Sequence, residues 1–190
     1  MVDRHLLSVG ATRGAGPGIP ASDVVRPTIV PRQRRQGAPR LVHVTELISV
    51  VGGAVVDSLA APRTLLVARR TAPPQFAGMW EFPGGKVDPG EAPERALHRE
   101  LLEELGVEVR LGPELSAESP TGWPLNGRAA MRVWFAELAA GTPQPLEDHD
   151  ELRWVALADP AEVLGLPWIP ADLPIVEALL AAVAGEPSPN

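Results

Sequence analysis

Glu100, Glu103 and Glu104 stand three and four residues apart in the run Arg99-Glu100-Leu101-Leu102-Glu103-Glu104-Leu105. If the run is helical, this spacing puts three carboxylates on one face. Like charges so placed cost a helix ~0.2–0.5 kcal/mol per pair, and these also lie near the negative end of the helix dipole. Something cationic should offset them. Arg95 and Arg99 could do so on an ordinary solvated acidic face. The other solution is a hard divalent cation, because Mg²⁺ takes oxygen ligands and is commonly held by a few carboxylates together with substrate phosphates.

Two local elements must position these carboxylates. Upstream, Gly84-Gly85-Lys86-Val87-Asp88-Pro89-Gly90 holds three glycines and a proline in seven residues, which predicts a loop rather than a regular element. Its backbone could approach a ligand closely. Downstream, a helix is predicted from Pro93, which suits a first turn, to Leu105, with Gly106 at the position after the helix end. Leu97, Leu101 and Leu105 recur every four residues and predict its buried stripe.

The full arrangement is Gly85, five residues, Glu91, seven residues, Arg99-Glu100, an aliphatic residue, one residue, Glu103-Glu104, one residue, Gly106 and an aliphatic. It resembles the Nudix box in every defining position. The resemblance implies a Nudix fold, an α/β/α sandwich around a mixed sheet, in which the box forms a loop-helix-loop motif. It also implies metal-dependent hydrolysis of a nucleoside diphosphate linked to another group, with Mg²⁺ or Mn²⁺ as cofactor. Glu100, Glu103 and Glu104 would be the metal-binding carboxylates and the backbone carbonyl of Gly85 a further ligand. Glu91 and Arg99 would tie the loop to the helix.

The approach to the box, Arg69-Arg70 through Trp80-Glu81-Phe82-Pro83-Gly84-Gly85-Lys86, is similar to that of the MutT-like branch. By that resemblance Arg70, or failing it Arg69, contacts phosphate. Glu147-Asp148-His149 resembles the Glu-His pair that often completes the site, with Asp148 in place of the glutamate. Asp148 or the adjacent Glu147 would then serve as metal ligand or general base. His149 is read as structural or exposed. Asp172 would touch the base edge, accepting hydrogen bonds if ionised, or would instead cap the last helix. Phe76, Trp80 and Trp168 are candidates to stack on the base or to pack in the core. Lys86 is the only lysine in the chain, either a phosphate contact or an exposed loop residue.

At 190 residues the chain suits one domain of ~140–150 residues with an extension. Residues 1–40, rich in Pro, Gly and Arg, are expected to be disordered, residues 41–184 to form the catalytic domain, and residues 185–190 to fray. Strands are predicted at residues 46–57, 64–70, 107–116, 128–138 and 151–157, the first two pairing as a hairpin. Residues 120–127 read as a loop. A short helix follows Asp159, and a terminal one spans Leu173 to Val183 with Leu173, Val176, Leu179 and Leu180 on one face.

No apolar run reaches membrane-spanning length, so a cytoplasmic protein is expected. Zero cysteines exclude thiolate metal sites, and a net charge of −7 argues against general nucleic-acid binding. The expected reaction converts a nucleoside triphosphate, 8-oxo-dGTP or a relative such as CTP or dCTP, to monophosphate and pyrophosphate, cleaning the nucleotide pool. An ADP-ribose or nucleotide-sugar pyrophosphatase is the alternative enzyme, and a non-catalytic Nudix-fold sensor the alternative of another class. Monomer and homodimer stay open.

Overall fold

A computed structural model describes residues 47–185. The extension assigned to residues 1–40, Glu46 at the start of the first predicted strand, and the tail from residue 186 lie outside the described residues. Along the chain come β1 (Ile48–Val56), β2 (Thr64–Arg70), β3 (Trp80–Glu81), β4 (Gly84–Lys86), α1 (Pro93–Leu105), β5 (Glu108–Leu115), β6 (Trp123–Asn126), β7 (Ala129–Ala140), β8 (His149–Ala156), α2 (Pro160–Leu164) and α3 (Leu173–Ala184).

β1 is the axis of a mixed sheet. On one side it runs parallel to β7 in unbroken register from Ile48↔Ala129 to Val56↔Glu137. Its other side is shared. β2 pairs only with the far end, at Val55↔Leu66 and Val56↔Leu65, and β4 takes the near end from Val50↔Lys86 to Gly52↔Gly84. The predicted hairpin therefore exists only beside its turn. β2 then diverges to pair with β3 and, along its whole length, with β8.

Two segments read as loops turn out to be strands. Gly84 has φ of +147° and lies so close to β1 that an added Cβ would overlap the Val51 carbonyl oxygen, so glycine is what lets β4 lie on that edge. In the gap between β2 and β4, the Gly53 N–H donates to the Pro83 carbonyl. β6 pairs with β7 through Trp123↔Met131, and the Asn126 side chain accepts from the Arg128 N–H to close an Asn-Gly turn. In both cases a neighbouring strand supplies hydrogen bonds that composition does not reveal.

One helix layer covers each face. Leu97, Leu101 and Leu105 of α1 are fully buried against Val51, Val55, Leu66 and Trp134. Gly53 makes the approach possible, because a Cβ there would stand 3.2 Å from a Leu101 methyl. The glycine pair of β1 thus serves close packing, and the register with β7 shows no bulge. On the opposite face, α2 and α3 bury Val163, Ile175, Val176 and Leu179 against Val56, Leu65, Val67, Phe82 and Val133. Ile175 takes a central place there, whereas Leu173 and Leu180 are only partly buried. The result is the expected α/β/α sandwich. At α2, Asp159 caps the helix by accepting from the Glu162 N–H at 3.0 Å.

Candidate active site

Arg99 joins the glycine-rich segment to α1. Its Nη2 donates to Glu91 Oε2 at 2.9 Å and to the Lys86 carbonyl at 3.1 Å, and its Nε to Glu91 Oε1 at 3.3 Å. From the same guanidinium, Nη1 reaches Glu100 Oε1 at 2.8 Å and Glu103 Oε2 at 3.2 Å. These anionic partners hold Arg99 well above its usual value, chiefly through the hydrogen bonds of Glu91 and Glu100. A planar fork of donors suits this bridging in a way a lysine cannot. Gly106 ends α1 in the left-handed conformation, with φ of +68° and its N–H on the Leu102 carbonyl.

The three glutamates of α1 lie in different surroundings. Glu103 is exposed and Glu100 half-buried, while Glu104 is buried at 6% exposure. Glu104 accepts the Gly84 N–H at 2.8 Å, so helix and glycine segment meet through a charged hydrogen bond. Desolvation pushes its carboxyl up to about 7, with Glu81 and Glu100 adding repulsion while His149 and the Gly84 N–H pull it down. Burial likewise raises Glu100, against the pull of Arg99. A solvated acidic stripe does not describe this face.

Across from α1, the Leu146 N–H donates to the Glu104 carbonyl, and the Gln144 N–H to that of Leu105. This docks the segment before β8 along the end of the helix. Glu147, held in the left-handed region at φ +49°, lies close enough to Glu100 for its charge to raise the Glu100 carboxyl. Asp148 points elsewhere, with Oδ2 3.5 Å from Arg70 Nη2.

Arg70 also donates from Nε to the Ala72 carbonyl at 2.6 Å and from Nη1 to Glu81 Oε1 at 2.7 Å. That same Glu81 oxygen is 2.9 Å from His149 Nε2. Glu81, buried at 8% exposure, is a residue that reading the sequence passed over. The signal available was an acid flanked by aromatics, Trp80-Glu81-Phe82, in a stretch otherwise destined for the core. His149 is buried, its Nδ1 without a hydrogen-bond partner among the described residues. Desolvation opposes its charge, yet the Glu81 hydrogen bond and the Glu104 charge outweigh it and hold the imidazole above its usual value. Arg69 turns away, to Asp150 at 2.8 Å and Glu151 at 2.7 Å.

Asp172 occupies the N-cap position of α3 but makes no capping hydrogen bond. Its Oδ2 accepts from the Phe82 N–H at 3.3 Å, and burial pushes its carboxyl up to about 7. Burial thus favours its protonated form, in which it can donate as well as accept. Of the two readings for Trp80 and Trp168, the structure realises core packing. Trp168 packs on Phe82 with ring centroids 5.4 Å apart and planes tilted by 34°, and donates to the Val163 carbonyl, and Trp80 lies under the Arg153 and Arg69 guanidinia. Phe76 is half-buried. Lys86 is exposed and its ammonium forms no ion pair among the described residues.

Among the described residues no three of His, Asp and Glu converge as a metal cluster, Glu100 and Glu103 being turned to Arg99 and Glu104 to Gly84. The donor set still fits a hard cation, because every group offered is a carboxylate or carbonyl oxygen. Gly85 adds a cradle. A Cβ there would overlap the Glu100 carboxylate, so only glycine leaves that carboxylate against the loop backbone. No helix among the described residues is long and apolar enough to cross a membrane.

Comparison with known proteins agrees with this architecture. The family model described as NUDIX domain matches residues 49–179. The putative 8-oxo-dGTP diphosphatase 2 of Mycobacterium tuberculosis is 42% identical over 130 residues, covering 65% of this chain and 81% of that protein. The CTP pyrophosphohydrolase of Escherichia coli is 39% identical over 125 residues, covering 65% and 87%. Among solved structures, that of the E. coli ORF135 protein superposes with a TM-score of 0.59 at 33% identity, over 76% of this chain and 96% of that one. The box, the sandwich that carries it and the similarity across the domain lead to one conclusion: the chain belongs to the Nudix family and is a Nudix hydrolase of the MutT-like, pyrophosphohydrolase type.

Proposed function

We propose that this chain hydrolyses a nucleoside triphosphate to monophosphate and pyrophosphate with Mg²⁺ or Mn²⁺, and that 8-oxo-dGTP or a cytidine triphosphate is its preferred substrate. The observation that carries the reading is that two of the three box carboxylates, Glu100 and Glu104, lie against Gly85 and Gly84 with Glu103 beside them on α1, in a chain about 40% identical to proteins named for these two substrates. Glu100, Glu103 and Glu104, with the Gly85 carbonyl, would hold the metal. When bound, a divalent cation offsets phosphate charge and acidifies water.

The chain's own residues do the rest. Arg70, at the end of β2, and Lys86, next to Gly85, orient the phosphate chain, the first through a fork of donors and the second as a mobile point charge. Glu147 is favoured over Asp148 as the carboxylate that takes a proton from the attacking water, because its charge acts on Glu100 whereas Asp148 lies beside Arg70. Asp172, close to Phe82, reads the base.

The test is release of pyrophosphate and monophosphate from 8-oxo-dGTP, dGTP, CTP, dCTP and ADP-ribose, with and without Mg²⁺. Metal-dependent pyrophosphate from one preferred triphosphate is expected. Turnover of ADP-ribose alone, which releases no pyrophosphate, would overturn the triphosphate assignment, and turnover of no compound would favour a sensor.

A further inference from the structure

Glu81 stands where three segments of the site meet. It lies on β3, three residues before Gly84, and its Oε1 receives Arg70 Nη1 from the end of β2 at 2.7 Å. The same atom is 2.9 Å from His149 Nε2, the first residue of β8 and the one that directly follows Glu147 and Asp148. A carboxylate at 8% exposure is costly to bury unless charged or polar donors surround it. Here both donors belong to segments that carry proposed functional groups.

Neither neighbour has an equivalent anchor. Arg70 keeps the Ala72 carbonyl on Nε, but apart from Glu81 its terminal nitrogens have, among the described residues, only Asp148, at 3.5 Å and more than half exposed. His149 has its side chain fully enclosed and no partner on Nδ1 among the described residues, so Glu81 is what orients the ring. Removing the carboxylate would free the guanidinium to swing toward Asp148. It would also release the buried side chain of His149, whose backbone N–H closes the turn holding Glu147 on the Leu146 carbonyl.

We propose that Glu81 is a positioning residue of the hydrolysis, presenting the Arg70 guanidinium to the phosphate chain and, through His149, fixing the place of the Glu147 carboxylate. This rests on the triphosphate reading above. A purely structural ion pair would instead affect stability and leave the catalytic constants of the folded enzyme alone. The two are separable because Gln has the shape of Glu and its amide oxygen can still accept both hydrogen bonds, but it lacks the charge that holds the guanidinium and the imidazole in place.

The experiment measures kcat, KM and thermal unfolding of full-length wild type, E81Q, R70M, E147Q and the two double variants on the triphosphate the wild type prefers. E81Q is expected to melt close to wild type while kcat/KM falls by ~10- to 100-fold, as displaced groups do, with KM raised and kcat lowered. In the R70M background E81Q should no longer raise KM, and in the E147Q background it should no longer lower kcat. A folded E81Q with unchanged kcat and KM, or losses that simply add in both backgrounds, overturns the proposal. If E81Q does not fold, H149Q cuts the link from its other end: lowered kcat with KM kept supports the proposal, and both kept overturns it. A wild type that turns over no triphosphate overturns the functional reading itself and this inference with it, an outcome distinct from an active wild type with an unimpaired E81Q.

Discussion

Asp172 shows how burial changes what a side chain can do. Its carboxyl is 3% exposed and, largely through desolvation, raised from 3.8 to about 7. A carboxyl raised in the folded state favours the protonated form there, so its stabilising contribution is complete below the unfolded value near 3.8 and is lost as pH rises through about 7. D172N, which keeps an acceptor for the Phe82 N–H without the charge, is therefore expected to match wild type at pH 4 and exceed it at pH 8 by ~2–4 kcal/mol. Urea unfolding at the two pH values checks this, and equal stability at pH 8 would mean that the carboxyl ionises without penalty. Asp172→Ala should alter the ranking of bases in the substrate panel more than the maximal rate. If the ranking is unchanged, the residue serves only to hold Phe82.

Glu103 and Glu104 are four and five residues past Arg99, yet one is solvent-exposed and the other buried on the Gly84 N–H. Both E103Q and E104Q should cut turnover by orders of magnitude, since each removes a charged oxygen donor from the proposed metal set. Their folding should differ. E103Q is expected to unfold at the wild-type temperature, whereas E104Q changes a buried hydrogen bond and should shift it measurably. Full activity in either variant would remove that glutamate from the metal set.

At the scale of elements, the site depends on how β4 and α1 are held against β1. Leucines every four residues bury one side of α1, and Gly53 lets that side approach the sheet. β4 lies on the other edge only because Gly84 can hold φ of +147° with no side chain facing the Val51 carbonyl. G84A is thus expected to destabilise the protein by more than ~2 kcal/mol, through backbone strain and steric overlap together. It should also depress activity beyond what stability explains, because Glu104 loses its alignment with the Gly84 N–H. Thermal unfolding alongside turnover of the folded fraction tests both, and a G84A protein equal to wild type would show that β4 is not pinned by this contact.

At the scale of the whole molecule, a net charge of −7 coexists with a phosphate substrate because the acidic face is paired with Arg99 and, as proposed, with metal. Every residue assigned to the reaction lies between Arg70 and Asp172, and the family match spans residues 49–179. Deletion of residues 1–40 is expected to leave kcat and KM unchanged. A loss of turnover in the shortened chain would bring that extension into the reaction.

The sequence alone determined the family, the sandwich, α1 with its leucine stripe and acidic face, and the glycine that ends it. These follow from local rules: side-chain period, capping residues and the fixed spacing of the box are read along the chain without knowing what lies opposite. What lies opposite was decided only by the tertiary structure. Gly84–Lys86 and Trp123–Asn126 became strands because β1 and β7 offered free edges, and the β1–β2 hairpin parted early because β4 took the facing edge of β1 and β3 that of β2. Likewise Glu104 and Asp172 were displaced from ordinary carboxylate behaviour by burial, and Glu81 gained its place only when β2, β3 and β8 met around it. Hydrogen-bond partners and desolvation come from residues distant in sequence, so neither can be read from the residue types that experience them.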